Sequence, residues 1–193
     1  VYYCTRAFVD YIINSEEGHI VNTSSINGFW ASLGGTPHTS YSAAKFAVKG
    51  FSEALIDDLR VNAPHVDVSV VMPGHIGTSI AENTGKIIGG IKTEEDLEKV
   101  KENMIKMGMP VHNFTPEQIK QQIKENAEAF KNNAPTTSAE AADVILSAVK
   151  KKQWRILVGD DAKAIDEWVR SAPENAYNIH YNGEKRENLD EDI

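Results

Sequence analysis

Cysteine is nearly absent. Cys4 is the single one in 193 residues, so no internal disulfide can form, and the chain suits a reducing cytoplasm. Long apolar runs are absent too, which argues against a helix that spans a membrane. Basic charge is in deficit, with 20 Lys and Arg against 28 Asp and Glu and a net charge of −8. The basic residues are dispersed, so polyanions are repelled and nucleic acid is excluded as a partner. The six histidines (His19, His38, His65, His75, His112, His180) never pair at metal-ligand spacing, so no metal site is expected. No basic, Met-led signal segment precedes Val1, and the chain opens inside a helical pattern; we read this as a truncated start. What remains is an ordinary globular composition, 41% hydrophobic and 25% charged, with neither repeats nor low-complexity tracts.

Periodicity sets the order of elements. Val1, Cys4, Phe8, Tyr11 and Ile12 fall at helical spacing, predicting a helix over 1–13. His19–Ser24 reads as a short buried strand that runs into Ser25 and a glycine turn at Gly28. A long helix is expected over 41–62, and a strand from Val66 to Met72 ends at Pro73-Gly74. Residues 75–137 are polar and helix-rich with no strand pattern. Thr93-x-x-Asp96 and Thr115-Pro116-Glu117-Gln118 are helix-start signatures there, and Thr137–Glu140 is a third, opening a helix through Val149. Trp154–Gly159 is a last strand, and 161–170 a short helix. Strands separated by helices run parallel, which predicts a layered α/β sheet. Ligands bind such sheets at the carboxyl ends of the strands, where Ser24-Ser25 and Pro73-Gly74 both stand.

Tyr41 and Lys45 are one turn apart on the long helix, about 40° apart around its axis and on one face. They flank an apolar stripe of Ala44, Val48, Phe51, Leu55 and Leu59. A second stripe, Ala43, Ala47, Gly50 and Ala54, is small enough to admit another helix, across a homo-oligomer contact for instance. An ordinary tyrosine ionises near pH 10 and is a poor base at neutrality. A cation at about 4 Å, in an effective dielectric of about 20, supplies about 4 kcal/mol toward readying such a phenol for proton exchange. A packed ring beside a solvated amine is the bland alternative for any such pair.

The company of the pair decides between them. Gly18–Gly28 is a strand running into two serines and a glycine, Tyr41 follows Ser25 by sixteen residues, and the next strand ends Val71-Met72-Pro73-Gly74-His75-Ile76-Gly77-Thr78. These ordered segments resemble the short-chain dehydrogenase/reductase family closely over residues 1–80 and more loosely around 138–160. The resemblance implies that Ser25 hydrogen-bonds the substrate oxygen and that Tyr41 is the catalytic acid/base. It implies that Lys45 makes that phenol more acidic and bonds the nicotinamide ribose. Pro73 and Gly74 then form the loop under the nicotinamide, where the Ile76 backbone and the Thr78 hydroxyl hold the carboxamide. The implied reaction is hydride transfer between NAD or NADP and a small-molecule carbonyl/alcohol pair.

The family's glycine-rich cofactor turn has no match. Gly34-Gly35, Gly85 and Gly89-Gly90 are wrongly placed for it, and Asn14 and Asn22 lie in the wrong elements for the family's asparagine. The expectation is therefore a Rossmann-like parallel sheet that is incomplete, with its first strands absent: a C-terminal portion whose cofactor-gripping half is missing, marginal in stability when made alone. Residues 1–170 would form this partial catalytic domain, with 79–137 as a substrate lid and 171–193 as a polar tail. The competing function is a non-catalytic binding or assembly module that keeps the fold without the cofactor loop. A serine hydrolase is disfavoured because Thr23 and Asn27 stand where an elbow needs glycine. Met104, Met107 and Met109, and likewise Phe29 and Trp30, could line a substrate pocket or pack a core.

Overall fold

A computed structural model describes residues 1–31, 38–88 and 91–177. Gly34-Gly35, Gly89-Gly90, His180 and the tail from Glu184 lie outside the described residues. In chain order the elements are α1 (Tyr2–Ile13), β1 (Gly18–Thr23), a 3-10 turn (Ile26–Gly28), α2 (Thr39–Asn62), β2 (Val66–Pro73) and β3 (Ile76–Gly77). There follow α3 (Ile80–Ile88), α4 (Glu94–Lys106), α5 (Pro116–Asn132), β4 (Thr136–Thr137) and α6 (Ser138–Lys150). The series closes with β5 (Arg155–Val158), α7 (Asp160–Ser171) and a second 3-10 turn (Pro173–Asn175). The chain divides into two compact units, Val1–His75 with Ala139–Ile193, and Ile76–Ser138.

The first unit is built on a parallel sheet in the order β1-β2-β5. All six residues of β1 pair with β2, from Gly18 against Val66 to Thr23 against Val71, and Val70–Pro73 pair with Arg155–Val158. On one face Ile20, Val66 and Val68 pack with Leu59 and Ala63, and Val9, Ile12, Ile13, Leu55 and Ile56 close over them. From Val68 to Met72, β2 is buried on both faces, with Val70 and Met72 fully enclosed, so the alternation read over Val66–Val70 does not continue.

Several expectations are corrected. The sheet was expected to lack its first strands, but Gly18–Thr23 is itself the first strand and is paired in parallel along its whole length. The deficit had been inferred from an outside pattern; hydrogen bonding within the chain builds the α/β sheet with β1 in place. The packing side of α1 is Val9, Ile12 and Ile13, whereas Phe8 and Tyr11 are exposed, because the spacing i, i+3, i+4 fits both faces of a helix this apolar. The stripe of small residues on α2 is open within the chain: Ala43, Ala47 and Ala54 are exposed and a Cβ at Gly50 would meet open space, so the close packing expected there is left to a contact between copies.

The second unit is helical. Leu97, Met104, Val111 and Ile119 form its buried cluster, with Met109, Phe114 and Ile123 packed against it. Two of the three helix-start signatures are capping boxes. Thr93 accepts from the Asp96 amide while Asp96 accepts from the Thr93 amide, and Thr115 and Gln118 exchange the same pair of bonds. A strand pattern was not expected here, yet β3 and β4 pair in parallel over two residues. Two residues are too few for any period to register. Met104 and Met109 are core residues of this unit, which supports plain helix packing over a substrate-facing role for them.

Candidate active site

The carboxyl ends of β1 and β2 lie side by side, since Thr23 pairs with Val71 and the Ser24 amide donates to Val71 O at 2.8 Å. Beyond this edge β1 turns at once into its 3-10 turn, and α2 returns past it. Ser24 is 2% exposed and its hydroxyl donates to the carbonyl of Lys45 at 2.7 Å. Gly28 seals the contact: a Cβ there would stand 2.3 Å from Ser24 Oγ and 2.9 Å from Lys45 O. Strand end and helix are thereby fixed at one spacing. Neither Ser24 nor Gly28 was singled out as functional from the sequence, although both stand inside the segment that carried the resemblance.

That latch places the predicted pair. The Lys45 amine donates to Thr23 O at 3.2 Å and stands 5.6 Å from the centroid of the Tyr41 ring, within cation–π range. Burial pulls the Lys45 ammonium below the usual lysine value, since a half-desolvated charge is less stable. The Tyr41 ring is 40% exposed, and His38 meets it edge to face at 6.4 Å between centroids. Tyr41 and Lys45 are thus brought together at the edge where β1 ends.

Ser25 is buried and caps its own turn. Its Oγ accepts from the Asn27 amide at 3.2 Å, and its hydroxyl points to Asn27 Oδ1 at 3.4 Å, a long contact. The cap that any strand-end serine provides is therefore present here. On the next strand the Gly74 amide donates to Val158 O at 2.9 Å and the His75 amide to Asp161 Oδ2 at 2.7 Å, which fixes the turn after Pro73. Ile76 and Thr78 belong to the second unit, where the Thr78 amide donates to Ile76 O at 2.8 Å. Asn22 spends its amide on Ser52 Oγ at 3.0 Å inside the core.

Phe29 and Trp30 are packing residues. Trp30 meets Trp168 edge to face and donates to Ala176 O at 2.9 Å, while the Arg155 guanidinium lies over Phe29. Arg155 in turn forms a two-pronged pair with Asp166, whose carboxyl is held below the usual range chiefly by that hydrogen bond. Sequence reading missed this pair, as it missed Asp161, because neither forms a local pattern.

Comparison with known proteins extends the geometry. Residues 1–87 match the family model described as short chain dehydrogenase. A Mycobacterium tuberculosis protein named "Putative oxidoreductase SadH" is 35% identical over 167 residues, 86% of this chain and 48% of that protein. The 3-ketodihydrosphingosine reductase of Bacteroides thetaiotaomicron is 40% identical over 79 residues, 40% of this chain and 27% of that one. A short chain dehydrogenase/reductase from Burkholderia phymatum, solved in complex with NAD, aligns with a TM-score of 0.61 at 19% identity. It covers 97% of this chain and 57% of that one. A Burkholderia cenocepacia short chain dehydrogenase in complex with NADP has a TM-score of 0.55 at 20% identity, over 90% of this chain and 51% of that one. The chain spans about half the length of SadH, a curated relative that it matches over most of its own residues.

Residues 1–87 are thus similar to the short-chain dehydrogenases/reductases, and the fold of the chain is like that of solved members. They also correct the expectation of a sheet without its first strand, since the likeness in fold covers 97% of this chain, β1 included. No helix among the described residues is long and apolar enough to cross a membrane.

Proposed function

We propose that the chain serves an oxidoreductase that moves a hydride between NAD or NADP and a carbonyl/alcohol substrate, with Tyr41 as acid/base. The observation that carries the reading is the half-buried Lys45 ammonium, tied to Thr23 O and set against the Tyr41 ring. A cation kept partly from water acts on a neighbouring phenol through a low effective dielectric, so its field is felt where a solvated lysine's would be screened. Tyr41 gives a proton to a carbonyl oxygen during reduction and takes it back from the alcohol during oxidation. Ser25 Oγ keeps accepting from the Asn27 amide while its hydroxyl, only loosely engaged at 3.4 Å, turns to the substrate oxygen.

A dinucleotide supplies or takes up the hydride when bound. The residues present fit its nicotinamide ribose. The Lys45 amine has three donors and spends one on Thr23 O, leaving others for a ribose diol. By family resemblance Pro73 and Gly74 underlie the nicotinamide, and the Ile76 backbone and the Thr78 hydroxyl hold its carboxamide.

Turnover with a panel of carbonyl substrates tests the reading. Tyr41→Phe is expected to lose on the order of 10²-fold or more in kcat, the size of a removed acid/base. Undiminished turnover in both Tyr41→Phe and Lys45→Met overturns it. The lack of a glycine-rich strand-to-helix turn in the sequence favours a second reading, a binding or assembly module without catalysis. Calorimetric titration of NAD and NADP into the chain separates the two, because micromolar binding refutes the module.

A further inference from the structure

The turn that follows β2 is held from a distant part of the chain. Asp161, in the first turn of α7, lies 86 residues beyond His75 and accepts the His75 amide on Oδ2 at 2.7 Å. Its carboxylate also occupies the place of a side chain at Gly74, where a Cβ would stand 2.3 Å from each oxygen. The other oxygen, Oδ1, is buried with no hydrogen-bond partner among the described residues. A buried carboxylate oxygen is costly to desolvate. The amino end of α7 offsets part of that cost by favouring negative charge.

We infer that Asp161 is a positioning residue for the nicotinamide loop: it sets the backbone of Gly74 and His75. This rests on the reading above, in which Pro73-Gly74 underlies the nicotinamide. Gly74 matters for two reasons that act together. Its amide is spent on Val158 O, and its missing side chain lets the carboxylate close over the turn to reach the next amide. Asp161 touches neither substrate nor cofactor in this role, and its effect passes through the backbone it holds. The acceptor is the essential feature and the charge is secondary, which separates Asp161→Asn from Asp161→Ala.

The test uses the 193-residue chain with two readouts: amide exchange at His75 without nucleotide, and titration with NAD and NADP. Asp161→Ala is expected to speed exchange at His75 about tenfold or more by freeing that amide, and to leave the Ser24 amide as protected as in the wild type. Nucleotide affinity is expected to fall about tenfold, since an unfixed turn must be ordered on binding. Asp161→Asn keeps an acceptor and should stay within about threefold of the wild type. Gly74→Ala drives the carboxylate off and should behave as Asp161→Ala does. Unchanged exchange at His75 in both Asp161→Ala and Gly74→Ala overturns the inference, as does full affinity in both. A wild-type chain that binds neither nucleotide overturns the proposed function instead, and exchange at His75 then still decides whether Asp161 holds the turn.

Discussion

Lys45 and Lys152 stand at opposite ends of the β1–β2 pair, and their surroundings push them in opposite directions. Lys45 lies at the carboxyl ends, half-buried, with its amine on Thr23 O and its pKa lowered by desolvation. Lys152 lies at the amino ends, 69% exposed, on Asp67 at 2.8 Å, and the hydrogen bond and charge of Asp67 raise its pKa. Environment gives one residue type two roles. A lysine short of water and, among the described residues, without a carboxylate partner presents its charge to whatever approaches. A lysine with both is a surface ion pair, and such pairs contribute little.

The largest expected effect breaks or upholds that contrast directly. Lys45→Met should lower kcat by on the order of 10²-fold, while Lys152→Met should leave it unchanged. The pH dependence follows from the directions of the two shifts. Lys45 loses its proton at lower pH than an exposed lysine, so activity that needs its charge falls early on the alkaline side. Lys45→Arg, charged at any practical pH, should carry the alkaline limb upward if it retains turnover. For stability the sign runs the other way. Between its folded value and the ordinary one, Lys45 binds fewer protons folded than unfolded, so its contribution improves as pH rises through that window.

A buried ion pair behaves differently from the exposed one. Asp166 is 6% exposed and pairs with Arg155, in contrast to the solvated Asp67–Lys152 pair. Removing one member leaves a charge without its partner, so Asp166→Asn should cost about 3 kcal/mol in urea unfolding. The Asp166 carboxyl is held below its usual value, so this stability is full above the ordinary aspartate value. It is lost as pH falls through the lowered one, and acid unfolding of Asp166→Asn should lack that component.

Much of this was legible in the sequence, and the line between what was and was not is physical. Tyr41 and Lys45 are joined by one helical turn, Ser24-Ser25 follow a strand directly, and each capping box lies within four residues; such patterns are local and carry their geometry with them. Asp161 with His75, Arg155 with Asp166, and Trp30 with Trp168 meet only after the chain has folded back, and no period announces them. The strand over 19–24 was legible, but the completeness of its sheet was misjudged for a related reason. Its six residues do not state their partner, and register with β2 decides what sheet they make.

Gly28 offers the next smaller effect. It closes Ser24 against the backbone of Lys45, a constraint for which Lys152 has no counterpart. Gly28→Ala would drive a methyl to 2.9 Å from Lys45 O, and backbone on a long helix cannot swing aside as a side-chain end can. A loss of about 2 kcal/mol is expected, read in urea unfolding. Turnover should fall with it because the Lys45 amine moves relative to Tyr41. Lost stability with full turnover would show that the latch serves folding alone.

Lys152 should give the smallest effect, and that is its value. It sits at φ 55, in a region rarely adopted by residues with a side chain, just after α6. Its amine and Asp67 face water, and salt screens them. The stability that its raised pKa contributes is present below the ordinary lysine value and lost as pH rises through the raised one, so Lys152→Met should differ least from the wild type in strong alkali. At neutral pH its Tm should change by about 2 °C or less, and less still in added salt. A Lys152→Met chain that loses turnover as Lys45→Met does would mean that burial is not what separates the two lysines, and the electrostatic role given to Lys45 would lose its support.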